Sequence, residues 1–177
     1  AKKPLFLAGG GVNIARANSI FTEVAEKTNV PVITTVMGRG AIPTNHPLYI
    51  GNLGMHGAYA ANMAVSECDL LFSIGTRFND RITGKLHAFA PKAQIVHIDI
   101  DTAAISRNIH VDIPIVADAK EAILKMQEYV EPCNTTKWLG QIGEWKTNHP
   151  LDMKKHAEMG PKDIIDEINR QFDEAII

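Results

Sequence analysis

Residues 70–84 read LLFSIGTRFNDRITG, and the order of residue types in this stretch decides the fold. An apolar run of strand length, Leu70 to Ile74, stops at Gly75, and two arginines, Arg77 and Arg81, follow at once. In an open α/β sheet, ligands bind in the crevice outside the carboxyl ends of the strands. A glycine there lets a ligand approach the backbone, and guanidinium forks can pair with phosphate. The stretch therefore predicts a strand end facing an anionic ligand. The plain alternative makes Arg77 and Arg81 surface ion-pair formers, with Asn79 and Asp80 as turn residues. A loop just past a central strand opens onto the ligand crevice, which weighs against that alternative.

On both sides of this stretch, strand-like and helix-like segments alternate, which predicts a parallel sheet with helices on both faces. Pro4 to Ala8 is a short apolar strand ending at Gly9-Gly10-Gly11. Ile14, Ala17, Ile20, Phe21, Val24 and Ala25 recur at helical spacing, so a helix is expected from about Ile14 to Lys27. Val32 to Thr35 is the second strand, and Met37 to Gly57 reads as a long glycine-rich loop of the kind that is often functional. Ala58 to Glu67 suits a helix packed close to the sheet. Strands are expected at Leu70–Ile74, Gln94–Ile100 and Val111–Val116, the last at an edge or bend because it contains Pro114. Asp118 stands where the N-cap of an amphipathic helix, Ala119 to Tyr129, belongs. Thr136 is placed to cap a short helix carrying Trp138, Ile142 and Trp145. Asn148 to Met159 reads as a linker, and Gly160-Pro161 opens a last helix. Ala175-Ile176-Ile177 looks like the start of a further strand, so the chain is expected to be a piece of a longer protein.

The expected fold is therefore α/β: a Rossmann-like, doubly wound, mostly parallel sheet of five to six strands with helices on both faces. It occupies residues 1–131, followed by a linker with a short helix at 132–160 and the start of another domain at 161–177. A length of 177 residues suits one well-buried domain. Apolar residues at 45% and charged residues at 21% are ordinary for a soluble globular protein. The formal net charge of −2 offers no basic field for nucleic acid or an anionic membrane. The apolar runs are strand-sized, far short of a membrane span, and the start shows no signal pattern. Cys68 and Cys133 fit no metal or redox spacing and read as reduced thiols of a cytoplasmic protein.

Several residues are candidates for chemistry. The glycine triplet after the first strand is a phosphate-loop candidate, although the dinucleotide fingerprint would need a glycine where Ile14 stands; the alternative is a turn requiring positive φ. Asp99, within VHIDID at the end of the fourth strand, is placed to accept a ribose hydroxyl or, alternatively, to cap a following helix, the role expected of Asp101. In Gly51-Asn52-Leu53-Gly54-Met55-His56-Gly57, the glycines favour close contact with a ligand, and Met55 offers a soft surface to a flat ring. No GxSxG elbow, HExxH pair or P-loop is present, so no self-sufficient active site is expected.

Taken together, AGGGV (8–12), PVITTVMGRGAIP (31–43), HPLYIGNLGMHG (46–57), GTRFNDRITG (75–84), VHIDID (96–101) and VADA (116–119) resemble the central domain of the acetohydroxyacid synthases, also called acetolactate synthases. The resemblance covers about Lys3 to Val130, and its pairing of GMHG with GTRFNDRITG is specific to these enzymes. It implies a three-domain, thiamine-diphosphate-dependent subunit in which this domain binds FAD in a mainly structural role. Thiamine diphosphate and magnesium would belong to the other domains, and no catalytic residue is expected here. The full enzyme would join two pyruvates, or pyruvate and 2-ketobutyrate, with loss of CO2 in branched-chain amino-acid biosynthesis. A homodimer or tetramer is implied, with a regulatory small subunit as a further partner.

Residue by residue, the resemblance places Gly10, Gly11, Thr35 and Val36 at the flavin nucleotide. Leu53, Met55 and His56 fall in the loop passing the flavin. Gly75, Arg77, Asn79, Arg81 and Ile82 form a third contact group, and Asp99, Ile100, Asp118 and Ala119 surround the adenosine half. Asn79 stands where the family commonly has aspartate. Two other readings share these elements: the central domain of a related 2-keto acid decarboxylase or oxidase, and a non-catalytic flavoprotein module.

Overall fold

The computed structural model describes residues 1–151 and 159–172. Six strands form one sheet: β1 (Pro4–Ala8), β2 (Val32–Thr34), β3 (Tyr49–Asn52), β4 (Leu70–Ile74), β5 (Gln94–Asp99) and β6 (Ile113–Val116). Every neighbouring pair is parallel. Their order is β3-β2-β1-β4-β5-β6, so the chain winds outward from β1 in one direction and resumes at β4 in the other. This is the Rossmann order, and its switch point lies between β1 and β4.

Buried on both faces, β1 shows why the sheet is covered on both sides. Leu5 and Leu7 point into a core with Ala60, Ala61 and Ala64 of α3 (Tyr59–Glu67) and Trp138 and Ile142 of α6 (Thr136–Asn148). Phe6 and Ala8 point into a second core with Phe21 and Val24 of α2 (Asn18–Thr28) and Ile123 of α5 (Ala119–Tyr129). Small residues let α3 lie close to the sheet. Trp138 Nε1 donates to Pro4 O at 3.0 Å, fastening α6 beside β1. Residues 132–160, expected as a linker, thus include a 13-residue helix whose Trp138 and Ile142 are in the core.

Four details depart from the sequence expectations. The single helix expected from Ile14 to Lys27 is two, α1 (Gly10–Ile14) and α2, broken where Arg16 adopts φ +52°. The long loop expected at 37–57 contains the edge strand β3, which Gly51 and Asn52 had disguised. No helix starts at Asp101; its carboxylate accepts Ala103 N within a turn. Thr136 begins α6 rather than capping it, as Thr135 holds the cap position. The expected last helix is present as α7 (Pro161–Gln171), with Asp163 accepting Gly160 N at 2.8 Å. The strand expected at Ala175–Ile177 and most of the linker lie outside the described residues.

Both sheet edges are blunted. Ala117 N donates to Asp99 O, so with the two-residue period of a strand, positions 115 and 113 face β5 and Pro114 faces the free edge. The missing N–H of Pro114 costs no ladder bond there. At the other edge, Lys146 Nζ donates to Tyr49 O at 3.2 Å.

Candidate functional site

A cleft of about 650 Å³ opens at the switch point, on the carboxyl ends of β1, β4 and β5. Gly10, Gly11, Thr35, Val36, Gly75, Arg77, Asn79, Arg81, Ile82, Asp99, Ile100, Asp118 and Ala119 all line it. These residues come from five separate segments, after β1, β2, β4, β5 and β6, and the strand order brings them to one place.

Two glycines form the floor by touching each other. A methyl group at Gly11 would lie 2.6 Å from Gly75 Cα, and one at Gly75 would lie 2.5 Å from Gly11 Cα. Gly75 also has φ +61°, which favours glycine. The amides of the triplet are largely committed to the protein. Gly9 N donates to Ile74 O, Gly11 N to Gly75 O, and Val12 N to Gly9 O. The triplet therefore knits β1 to the turn after β4, and Gly10 is its main cleft-facing member. The other helix pointing its N-terminus at the cleft, α5, is closed by Asp118, whose carboxylate accepts Lys120 N at 2.8 Å and Glu121 N at 3.2 Å.

Positive charge in the cleft comes instead from side chains. Arg77 and Arg81 are exposed and form no ion pair among the described residues. Arg81 leaves α4 (Asp80–Thr83), while Arg77 stands on the turn before it. The next two strand ends carry two carboxylates, Asp118 and the nearly buried Asp99, which accepts Asp101 N at 2.9 Å. Exposed Val36, Met37, Ile14 and Ile100 supply apolar walls. Along the strand ends the order is apolar Val36 and Met37 after β2, the arginines after β4, and the carboxylates after β5 and β6. That arrangement suits an elongated ligand with an anionic middle, hydroxyls near one end and flat apolar parts.

The turn carrying Arg77 is strained and well supported. Phe78 adopts φ +46°, an uncommon conformation for a bulky residue, at a cost of order 1–3 kcal/mol. Its buried ring packs edge-on against Phe89 and His97, with centroids 5.7 and 4.8 Å away. His97 Nε2 lies 2.7 Å from Thr76 O, and Ser73 Oγ lies 2.5 Å from Thr76 Oγ1. Burial pushes the imidazole of His97 below its ordinary value, against the opposing effects of the Thr76 carbonyl and Asp99. It is therefore neutral near pH 7.

Leu53, Met55 and His56 do not line the cleft. Leu53 is buried in the core beside α3, and Met55 and His56 sit on an exposed turn. That turn is stapled to α4: Met55 N donates to Arg81 O at 3.1 Å, and a methyl at Gly54 would lie 2.5 Å from the same oxygen. The GMHG segment thus supports the arginine helix from behind. Sequence reasoning missed Ile14, Ala15, Met37, Thr76, Phe78, Ile98 and Ala117 as lining residues. Most are immediate neighbours of predicted ones, which is the signal that would have found them.

Nothing else competes as a reactive centre. Burial pushes the Cys68 thiol up to about 12, so it stays protonated and inert. Among the described residues, no group of three or more histidine, cysteine or acidic side chains is placed to hold a metal ion. Nor is any helix among them long and apolar enough to cross a membrane.

With the cleft described, kinship can be stated. Residues 1–126 match the family model of the thiamine pyrophosphate enzyme central domain. The chain belongs to that family. Among its relatives, the probable acetolactate synthase large subunit of Methanococcus aeolicus is 41% identical over 98% of this chain and 31% of its own length. That of Methanocaldococcus jannaschii is 48% identical over 82% of this chain and 25% of its own. The acetolactate synthase large subunit of Cyanidium caldarium is 41% identical over 96% and 30%. The chain thus spans about a quarter to a third of the length of these relatives. It is a central domain of the acetolactate synthase type, and every residue lining the cleft lies within the matched span.

Proposed function

We propose that this chain is the FAD-binding central domain of an acetolactate synthase catalytic subunit, and that the cleft at the switch point holds the flavin nucleotide. The observation that carries this reading is the polarity of the cleft. Arg77 and Arg81 stand without acidic partners where a diphosphate would need charge, and Asp99 stands at a strand end where a ribose would need an acceptor. Apolar Val36, Met37 and Ile100 would cover the ring systems. Asp118 closes the α5 terminus and Gly11 N is committed to Gly75, so the guanidinium groups are the stronger grip on phosphate. Asn79 lines the same wall as a neutral hydrogen-bonding group.

The whole enzyme would condense two pyruvates, or pyruvate with 2-ketobutyrate, releasing CO2. Thiamine diphosphate, held with magnesium by other domains, would supply the carbanion chemistry. Subunit assembly into a dimer or tetramer, a regulatory small subunit and a cytoplasmic setting complete the proposal. Three of the named relatives being large subunits supports the small-subunit partner.

Titrating the purified chain with FAD tests the reading. A shifted flavin absorption spectrum and saturable fluorescence quenching are expected. Equal affinity for ADP and FAD would instead favour a nucleotide-binding relative without flavin. Absence of flavin binding, both in this chain and in the complete subunit, would sink the assignment. The chain alone should form no acetolactate from pyruvate with thiamine diphosphate and magnesium; measurable turnover would place catalytic groups within it.

A further inference from the structure

His97 is an unusual occupant of a core. It is fully buried, its Nδ1 has no hydrogen-bond partner among the described residues, and an aliphatic side chain would avoid that desolvation cost. What the imidazole provides is one bond, Nε2 to the carbonyl of Thr76 at 2.7 Å. A carbonyl can only accept, so Nε2 carries the proton. The acceptor is the peptide immediately before Arg77. The next two carbonyls of the same turn, those of Arg77 and Phe78, accept from Asn108 Nδ2 at 3.4 and 2.9 Å. Three consecutive carbonyls are therefore held by side chains from β5 and the loop that follows it. The Ser73–Thr76 hydroxyl pair adds a fourth tie, and the left-handed Phe78 shows that the turn would not keep this shape unaided.

We propose that His97 and Asn108 are positioning residues for Arg77. They clamp the strained Thr76–Phe78 turn so that the guanidinium is already aimed at the anionic part of the nucleotide before it binds. This inference rests on the nucleotide reading of the cleft. Neither residue lines the cleft; His97 Nε2 also stands 3.8 Å from Asp99 Oδ2, but its one hydrogen bond, like those of Asn108, is to the turn. A guanidinium on a mobile turn would have to be ordered on binding, and part of the binding free energy would be lost to that ordering.

The test is FAD affinity of this chain in a double-mutant design, together with amide hydrogen exchange on the flavin-free protein. His97→Leu and Asn108→Ala should each weaken FAD by about tenfold, in the range of one charge-assisted contact. His97→Gln, which keeps an N–H donor, should recover most of the loss. In an Arg77→Ala background, His97→Leu should have little further effect, because its influence passes through Arg77. A purely structural role would weaken binding equally in both backgrounds, and that result would overturn the proposal. Exchange at the hydrogen-bonded amides flanking the turn, those of Gly75, Ile82 and Thr83, should accelerate in His97→Leu while β1 and β4 stay protected. Unchanged protection there would also overturn it, whatever ligand binds. If wild type binds no flavin while the exchange result holds, the flavin reading fails and the clamp stands.

Discussion

The glycine turn after β1 and the arginine turn after β4 lie side by side at the switch point, yet they use opposite resources. The first has bonded most of its amides to the neighbouring strand, and its glycines serve close backbone contact. The second keeps two guanidinium groups without acidic partners and is itself held rigid by buried side chains. In many Rossmann sheets the glycine turn is the phosphate cradle. Here, the glycine-rich turn is a packing device, and the uncommitted positive charge stands one loop along.

The comparison breaks most severely at the glycine floor. Gly75→Ala would place a methyl against Gly11 Cα at 2.5 Å in a left-handed conformation, so a loss of about 3 kcal/mol or more is expected from overpacking and backbone strain. Urea denaturation of the flavin-free chain measures it; a change under about 1 kcal/mol would mean that the two turns separate easily. Next in size is Arg77→Ala, which should weaken FAD by roughly 10- to 100-fold at nearly unchanged folding stability, because the side chain is exposed. Gly10→Ala should weaken it by less than about threefold, its methyl meeting only Met37, at 3.1 Å from Cβ and 3.5 Å from the carbonyl oxygen. The reverse order of these two effects would restore the glycine turn as the phosphate site.

Asp118→Ala removes the α5 cap and should cost about 1 kcal/mol in a thermal or urea melt. It should also free two amides facing the cleft; an unchanged melting transition would show that the cap contributes nothing. The smallest effect belongs to pH. Folding lowers the imidazole pKa of His97, so the unfolded chain takes up a proton at the ordinary histidine value while the folded chain does not. Stability from this group is flat above about pH 6.5, falls as pH drops below it, and levels off once the folded imidazole also titrates. His97→Gln should remove that slope. A wild-type slope of the opposite sign would contradict the neutral, Nε2-protonated assignment.

Much of this was legible in the sequence because buried parallel strands are continuous apolar runs. Leu5–Ala8, Leu70–Ile74 and Ile95–Ile98 announce β1, β4 and β5, and Asp118 announces its cap. β3 was hidden because an edge strand can tolerate Gly51 at φ +147° and a polar Asn52 bonded to Thr34. The break between α1 and α2 was hidden because an arginine at positive φ leaves no mark in the apolar periodicity. For the cleft, charge and strand-end position pointed to Arg77, Arg81 and Asp99. Leu53, expected in a loop passing the ligand, has its side chain in the core and does not line the cleft. The support by His97 and Asn108 depends on three-dimensional proximity between distant residues, which spacing along the chain does not encode.

Pro114 and Lys146 have a consequence for association. A sheet grows by adding a strand to the open N–H and C=O groups of its edge. At β6, the outward position that should donate is proline, and at β3 an outward carbonyl is taken by the Lys146 ammonium. A seventh strand from another copy or another domain therefore meets a missing donor on one flank and a covered acceptor on the other. Extension of the sheet is thus disfavoured at both of its edges.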